Sequence, residues 1–316
     1  MLKDVLRQIP FVRTGYRATK RLGVGAARMA VSLILTTIGR SAGLRGLAFD
    51  TLKQDLALAA GAETFVVSTR DKVIGREIYA NTEFDFAKFQ AALRLAGLEH
   101  RTSDLLFVDI GANIGPICIP VVKRGLAARA LAIEPEPLNQ KLLKANVILN
   151  DLSARIEIFP VALGASPGTV AFELSDRNFG DHRIKSAAEA SEDRYRESER
   201  ATVEVEMTTL DRILESHSAP NVLLWLDTQG YEGFVLKGAE ATLKQRHPMV
   251  LEFWPYGMKR SGSFESLIEC LCASSYAAFI DLEDTGAERV ALTRESLTDL
   301  YARLGQDGKF TDILVL

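Results

Sequence analysis

Residues 105–115 have the sequence LLFVDIGANIG, an apolar run that ends in an acid and then opens into a glycine turn. The apolar start of this stretch predicts a strand that is buried on both faces, as in a parallel sheet. Asp109 lies where the strand would emerge, and Gly111 and Gly115 bracket the turn. Glycines there allow the backbone to approach a ligand that a Cβ atom would block. Open α/β sheets bind small molecules at the carboxyl ends of their strands, so this stretch predicts a binding site.

A second acid, Glu134, ends the next strand-like run, about 25 residues after Asp109, a spacing that suits a carboxylate bonded to ribose hydroxyls. The turn departs from the dinucleotide pattern G-x-G-x-x-G, and Asp109 would meet a pyrophosphate with like charge. S-adenosylmethionine carries an ammonium group, a ribose diol and no phosphate, so the two acids favour this methyl donor over NAD. In the alternative interpretation, Asp109 only caps the turn and Glu134 only begins the next helix.

The chain beyond residue 105 alternates strand-like and helix-like runs, which is the pattern of a doubly wound parallel sheet. Strands are predicted at 105–110, 130–133, 155–161, 222–226, 249–253, 277–282 and 311–316, and helices at 114–123, 137–150, 232–245 and 264–274. Residues 168–208 interrupt this pattern with two alternating runs around a long charged loop. Alternation marks half-buried strands, so the segment predicts an antiparallel β insertion that closes over the acceptor.

Residues 1–50 are predicted to form a basic helical N-terminal arm, with nine Lys or Arg against two Asp. Its apolar stretch, residues 29–38, is too short to span a bilayer, which requires about 20 residues. The arm suits a packing or homodimer helix, or peripheral contact with an acidic membrane surface. Residues 51–100 form a small α+β subdomain, in which residues 64–79 (TFVVSTRDKVIGREIY) predict two short strands around a turn. Residues 101–316 form the donor-binding domain.

Composition narrows the class of protein. The 316 residues are 47% hydrophobic and 25% charged, with a net charge of −3, which is ordinary for a globular enzyme and gives no reason to expect nucleic acid as a partner. The three cysteines have neither metal-ligand nor disulfide-framework spacing, which favours a cytoplasmic setting, including the inner face of the membrane for the basic arm.

The stretch VDIGANIG is followed by IEPEP, PVALG and LDTQGYEGFVLKGAE, and together they resemble the FkbM family of S-adenosylmethionine-dependent methyltransferases over roughly residues 65–316. The order and spacing of these motifs are more specific than any one of them. The resemblance implies a class I methyltransferase (Rossmann-like) α/β fold, with a seven-stranded, mostly parallel sheet whose last strand is antiparallel. It also implies methylation of a hydroxyl, often on a sugar or polyketide.

The resemblance carries donor binding to particular positions of this chain. The residues it implies are Asp109, Gly111, Asn113, Gly115, Glu134 and Ala162. Asn113 would contact the methionine portion of the donor, and Glu134 would contact the ribose. Ala162 lies in the stretch that would pass the adenine. Many class I enzymes have an Asp there, so backbone contacts would have to replace it in this chain.

A hydroxyl acceptor must lose its proton during methyl transfer, so a nearby base would help. Asp227 follows the strand-like run 222–226 and would face the same crevice as Asp109, or would cap the next turn instead. His182, in the insertion loop, is the other candidate base because imidazole titrates near working pH. A lone loop histidine is also often solvated. The other three histidines are expected at the surface.

Four residues are predicted to contact the acceptor: Asn178, Arg183, Tyr231 and Glu252. The first two would hydrogen-bond a polar group such as a sugar. Tyr231 would stack on the acceptor, or would pack against the following helix. Trp254 and Tyr256 are expected in a solvent-facing loop.

The sequence thus predicts an O-methyltransferase for a small-molecule or glycan acceptor. Asp227 and Glu252 do not form a ligand cluster by spacing, so no metal is expected. Two other classes stay open at this point. An NAD-dependent oxidoreductase would use the same sheet and ribose acid, although the GANIG turn disfavours it. A membrane-docked protein that keeps the fold without turnover is motivated by the basic arm.

Overall fold

A computed structural model describes residues 41–186, 193–284 and 286–316. The helices in these ranges are α1 Ala42–Asp50, α2 Ile74–Asn81, α3 Phe86–Leu95, α4 Cys118–Lys123, α5 Pro137–Leu149, α6 Leu210–Leu214, α7 Glu232–Lys237, α8 Glu240–Gln245, α9 Pro255–Ser261, α10 Phe264–Ala273 and α11 Arg294–Leu304. The strands are β1 Leu56–Ala60, β2 Thr64–Ser68, β3 Leu105–Ile110, β4 Arg129–Ile133, β5 Ile156–Phe159, β6 Ala162–Leu163, β7 Gly168–Leu174, β8 Arg183–Ile184, β9 Ala201–Thr208, β10 Asn221–Leu226, β11 Met249–Phe253, β12 Ala278–Asp281, β13 Arg289–Ala291 and β14 Thr311–Val315.

The central sheet has the strand order β13-β12-β14-β11-β10-β3-β4-β5. Strands β11, β10, β3, β4 and β5 run parallel, whereas β14 lies antiparallel between β11 and β12. This arrangement confirms the predicted mostly parallel, Rossmann-like fold with an antiparallel last strand, and the short β13 adds an eighth strand. The chain proceeds from β3 towards β5 on one side and from β10 towards β11 on the other. The crevice between β3 and β10 is therefore the topological switch point, where such sheets bind ligands.

Strand β3 lies in the middle of the core. All six of its residues are buried. Leu105 and Phe107 contribute to one hydrophobic cluster, and Leu106 and Val108 contribute to the cluster on the opposite face. The uninterrupted apolar run is what a strand covered on both faces requires.

The insertion forms a separate four-stranded sheet with the order β6-β9-β7-β8. Strands β7 and β9 pair antiparallel from Gly168–Met207 to Leu174–Ala201. The small strand β8 pairs antiparallel with β7 at the edge of this sheet. The insertion follows β5, the edge strand of the central sheet, and several of its residues line the cavity at the switch point, among them Phe172, Phe179 and Ile184.

The prediction of two strands in residues 64–79 is wrong. Only β2 is a strand there, its partner is the preceding β1, and the second half is helix α2. The Asp71 carboxylate accepts hydrogen bonds from the backbone of Val73 and Gly75, at 3.1 and 2.8 Å, which satisfies orphan donors at the start of the helix. Ile74 and Ile78 are buried one helical turn apart, and this spacing fits a helix.

Two predicted helices also need correction. The helix after the glycine turn begins only at Cys118, and most of the preceding residues line the crevice instead: Gly111, Ala112, Asn113, Pro116 and Ile117. The helix expected over 232–245 is divided into α7 and α8 at Gly238. A Cβ atom at Gly238 would collide with the backbone carbonyl of Gly164, so close packing against the insertion coincides with the break.

The segment before β3 shares the main core. Phe89 of α3 contacts the rings of Phe107 and Trp225, with centroid distances of 5.1 and 6.1 Å. The basic arm lies outside the described residues up to residue 40, and α1 is its carboxyl-terminal end. In the part of the chain that the structure describes, no helix is long and apolar enough to cross a membrane.

Candidate active site

A cavity of about 880 Å³, part of it open to solvent, lies at the carboxyl ends of β3, β4 and β10. The glycine turn and the end of β4 form one half of its wall. The β10 turn, the insertion and the segment around α2 and α3 form the other half. We call these the donor half and the acceptor half.

The two glycines of the turn make room for protein atoms. Gly111 has a φ of +94°, and a Cβ atom there would collide with the carbonyl oxygen of Asp227. Gly115 has a φ of +90°, and a Cβ atom there would crowd the side chains of Ile119 and Leu143. Gly115 does not line the cavity. Gly111 lines the cavity, and its missing Cβ atom also allows β3 to approach β10. The expectation of ligand approach is wrong only for Gly115, whose missing Cβ atom allows helix α4 to pack.

Asn113 fixes the turn with both its backbone and its side chain. Its backbone N–H donates to Glu134 Oε2 at 2.8 Å, and its Nδ2 donates to the carbonyl of Phe179 at 2.9 Å. The backbone is left-handed at φ +49°, a conformation that Asn tolerates better than most residues. The turn is thus tied to the end of β4 and to the insertion at once.

Glu134 is a buried acid on the cavity wall. It accepts hydrogen bonds from the backbone N–H groups of Asn113 and Glu136, the latter at 2.7 Å. Burial raises the pKa of Glu134 to about 8, against the lowering effect of these two bonds. Carboxylate oxygens accept more than one hydrogen bond each, so acceptor capacity remains for a ligand hydroxyl.

Asp109 contacts the start of α4 and also lines the cavity. Its Oδ2 accepts a hydrogen bond of 3.3 Å from the backbone of Cys118, the first residue of α4, and its side chain also lines the cavity. Burial raises the pKa of Asp109 to about 7. A cationic ligand would relieve the cost of ionising this acid, since an opposite charge favours the carboxylate.

Asn139, which the sequence did not single out, contributes an orphaned acceptor. Its Nδ2 donates to the carbonyl of Phe179 at 3.2 Å, and this contact fixes the orientation of the amide. Its Oδ1 is buried and has no partner, although Asn139 lines the cavity. A buried acceptor of this kind calls for a ligand N–H or O–H. Together with the two acids, it fits S-adenosylmethionine, whose ammonium, ribose and adenine all carry such donors.

Asp227 lies at the opposite wall, as predicted from its position after β10. Gln229 Nε2 donates to Asp227 Oδ1 at 2.7 Å and to Glu252 Oε2 at 3.1 Å, so one amide bridges two carboxyls. Burial raises the pKa of Asp227 to about 7, and burial together with Asp227 raises that of Glu252 well above its usual range. Of this pair of carboxyls, Asp227 is therefore the one that ionises first as the pH rises.

The turn after β10 is organised by a residue that the sequence reading missed. Glu232 Oε1 accepts hydrogen bonds from the Thr228 backbone and hydroxyl at 2.9 Å and from the Gly230 backbone at 3.2 Å. The sequence did contain a signal for this role, because Glu232 directly follows the turn residues in DTQGYE, five positions after Asp227. Within the described ranges, no three His, Cys, Asp or Glu side chains form a group that could hold a metal ion.

His182 lines the cavity, but its geometry contradicts the predicted role as a general base. Its Nδ1 accepts the backbone N–H of Ser175 at 2.9 Å, so the neutral ring carries its proton on Nε2. Burial and the nearby Arg200 lower the pKa of His182 to about 4. The ring can donate a hydrogen bond to a ligand, and it has no free lone pair for a proton.

The four predicted acceptor contacts are not on the described cavity wall: Asn178, Arg183, Tyr231 and Glu252. The first caps its own turn by accepting from the Gly180 backbone, and the second is buried in an ion pair with Asp181. Tyr231 packs against Phe234 of the following helix at a centroid distance of 4.8 Å, so the alternative interpretation, helix packing, is correct for this residue. Glu252 lies behind Gln229. These corrections share one cause, because each side chain finds a partner within the protein.

Trp254 and Tyr256 were expected to face solvent, and this expectation is also wrong. They are 4% and 5% exposed and flank the start of α9. Arg183 lies over the Trp254 ring at 4.8 Å. The residues that do complete the acceptor half, besides Asp227 and His182, come from distant parts of the chain: Ile74, Phe84, Asp85, Ile117, Phe172, Phe179, Ile184, Trp225 and Thr228.

The sheet order, the acid at the end of β4 and the cavity at the switch point define a class I methyltransferase. The family model described as "Methyltransferase FkbM domain" matches residues 109–280, and the chain belongs to this family. This match confirms the predicted family. Membership implies S-adenosylmethionine as the methyl donor, so the NAD-dependent alternative is set aside.

Similar proteins are distant. Methyltransferase sdnD of Sordaria araneosa is 27% identical over 53% of this chain and 73% of its own length. The tRNA(Phe) (4-demethylwyosine(37)-C(7)) aminocarboxypropyltransferase of Pyrococcus horikoshii is 29% identical over 38% of this chain, and the match spans 42% of that enzyme. Among solved structures, "StiE O-MT residues 961-1257" is 11% identical, with a TM-score of 0.38 and coverage of 76% and 75% of the two chains.

Proposed function

We propose that this methyltransferase acts on oxygen, transferring a methyl group to a hydroxyl of a sugar, glycan or other secondary metabolite. One observation carries the proposal. Asp227, whose pKa is raised to about 7, lines the same cavity as Asp109 and Glu134, the two acids suited to the donor, and lies on the wall opposite them. A base with a pKa near the working pH suits an alcohol acceptor, which must lose its proton as the methyl group is transferred.

The donor half has a proposed role for each polar group. Glu134 accepts hydrogen bonds from the ribose hydroxyls, and Asp109 pairs with the ammonium group. Asn113 and Ala162, both on the wall, flank the methionine and adenine portions respectively. When bound, the donor supplies an electrophilic methyl group on its sulfonium.

Asp227 is the residue that handles the proton. Its carboxylate would accept the proton of the acceptor hydroxyl as that oxygen takes the methyl group, with the bond from methyl carbon to sulfur breaking and the demethylated donor leaving as a neutral thioether. Gln229 holds the carboxylate in place through the 2.7 Å bond, and the Asp227 backbone N–H donates to the Ile110 carbonyl at 2.9 Å. Such positioning matters because methyl transfer depends strongly on alignment of the reacting atoms.

Labelled S-adenosylmethionine tests this proposal. The full chain is incubated with donor carrying a labelled methyl group and with a small-molecule and glycan extract, and with bulk tRNA in parallel because one relative acts on tRNA. We expect label in an alkali-stable methyl ether. Label on nitrogen or carbon would overturn O-methylation, and label in tRNA alone would overturn the sugar, glycan or secondary-metabolite acceptor; both outcomes would leave the methyltransferase class intact.

Several expectations stay predictions. Cytoplasmic location, a homodimer and peripheral membrane contact through residues 1–50 are proposals for which the described residues offer no test. The domain boundaries at residues 50 and 100 are likewise proposals, although the segment after residue 51 shares its core with β3.

A further inference from the structure

We infer that the acceptor group entering this cavity is uncharged and hydroxyl-bearing, and that Asp85 helps to reject acceptors with an anionic substituent beside the reacting hydroxyl. This inference rests on the proposed function, because it concerns the acceptor half of the same site. It goes further by naming the charge of the acceptor and a residue that selects it.

The charged side chains that line the cavity are all acidic. Four carboxyl groups line it, from Asp85, Asp109, Glu134 and Asp227. No Lys or Arg is on the wall among the residues that the structure describes. Two of the four acids lie in the donor half, where the cationic donor balances them. Asp85 and Asp227 remain for whatever binds in the acceptor half.

Asp85 is presented to the cavity by an unusual backbone. It has a left-handed φ of +49° and stands at the N-cap of α3, yet its side chain makes no capping hydrogen bond. Its carboxylate is 46% exposed and 3.6 Å from Lys88 Nζ. Lys88 is itself shared with Glu283 and Asp312, at 2.9 and 2.5 Å, so it neutralises Asp85 only in part.

The remainder of the acceptor wall is apolar and aromatic. Phe84 and Trp225 lie next to the two acids, and Phe172 and Ile184 contribute from the insertion. Aromatic faces with a few polar groups are typical of sites for neutral ring-shaped ligands. The acids can accept hydrogen bonds from hydroxyls, whereas a phosphate or carboxylate would meet like charge in a site of low dielectric constant.

The test uses the full chain loaded with sinefungin, a donor analogue that transfers no methyl group. Ligand-observed saturation-transfer NMR then measures competition within matched pairs, namely methyl glucoside against glucose 6-phosphate and methyl galactoside against galacturonate. We expect each neutral member to bind about tenfold or more tightly than its anionic partner, as like-charge contacts commonly require. Asp85→Asn should narrow this ratio by about threefold or more.

Asp299→Asn is the matched control. Asp299 is an exposed acid on α11 that does not line the cavity, so the ratio should stay at the wild-type value. Anionic members that bind as tightly as neutral ones, no binding of any neutral member, or an unchanged ratio in Asp85→Asn would each overturn the inference. Failure of sinefungin itself to bind would instead contradict the proposed function.

Discussion

The donor half and the acceptor half of the cavity are built in different ways. In the donor half, Asp109 and Glu134 accept hydrogen bonds from backbone N–H groups, and every one of these contacts joins residues between 109 and 136. In the acceptor half, Asp85 and Asp227 come from segments more than a hundred residues apart and depend on side-chain partners such as Lys88 and Gln229. A site made by backbone amides can be encoded in one motif, whereas a site made by converging segments requires the whole fold.

The two halves are joined at one residue of the insertion. The Phe179 carbonyl accepts hydrogen bonds from Asn113 and Asn139, and its N–H donates to Asp71 at 3.4 Å. The insertion turn is therefore held by the donor half from one side and by the start of α2 from the other. A ligand that shifts the donor turn would therefore also move Phe179, which lines the acceptor half.

The largest expected effect comes from Gly111→Ala, which would separate β3 from β10 and so disrupt both halves. Because the new Cβ collides with the Asp227 carbonyl at a φ of +94°, we expect a loss of about 3 kcal/mol or more in unfolding free energy. Urea titration of the variant and the wild type measures this loss of unfolding free energy. The control is Gly125→Ala, where φ is +73° and no atom lies within 4 Å, so only about 1 kcal/mol should be lost. Equal losses in the two variants would contradict the steric explanation.

Asp227→Asn tests whether the acceptor half carries the chemistry. Removing a general base should lower the turnover number by about 10²–10⁴-fold. Donor affinity should change by less than about threefold, since Asp227 belongs to the other half of the cavity. His182→Ala provides the comparison, because a ring whose Nδ1 is occupied should affect acceptor KM more than turnover. Full turnover in Asp227→Asn would remove it from the mechanism.

Glu134→Ala tests the donor half. Loss of a charged hydrogen-bonding partner should weaken donor affinity by about 100-fold, which isothermal titration calorimetry can measure. The fold should also lose about 1–3 kcal/mol, because the Asn113 and Glu136 N–H groups lose their acceptor. Glu136→Ala removes a comparable bond, to the Asn139 backbone at 2.6 Å, without touching the cavity wall. Equal donor affinity in both variants would show that Glu134 is only structural.

The same contrast explains what the sequence could predict. The buried strand β3, the glycine turn and both donor acids follow from local pattern and spacing, so these elements were found where they lie. The acceptor residues could not be found in this way. Arg183 and Tyr256 look available in the sequence, yet burial in an ion pair or under aromatic rings removes them. Asp85 reaches the cavity only because α3 packs on β3, a contact that no local pattern encodes.

Changing the pH should change both the stability of the fold and the affinity of the donor half for its ligand. Burial raises the pKa values of Asp109 and Glu134 to about 7 and about 8. The unliganded fold therefore binds more protons than the unfolded chain between about pH 4 and pH 8, and its stability should fall as the pH rises across this interval and level off above it. A cationic donor binds the ionised acids, so its affinity should rise about tenfold between pH 6.5 and 7.5. Calorimetry in two buffers should show proton release, and a flat affinity profile would contradict the pairing.

The smallest expected effect separates two roles of Asn139, which belongs to the donor half but also holds the insertion. Asn139→Ala removes the orphaned Oδ1, so donor affinity should fall by about fivefold, the worth of one ordinary hydrogen bond. Asn139→Asp keeps an oxygen towards the cavity and loses the donor to the Phe179 carbonyl. If Oδ1 serves the ligand, the Asp variant should bind the donor at least as well as the wild type. If the amide only holds the insertion, both variants should bind the donor normally and fail together in acceptor KM.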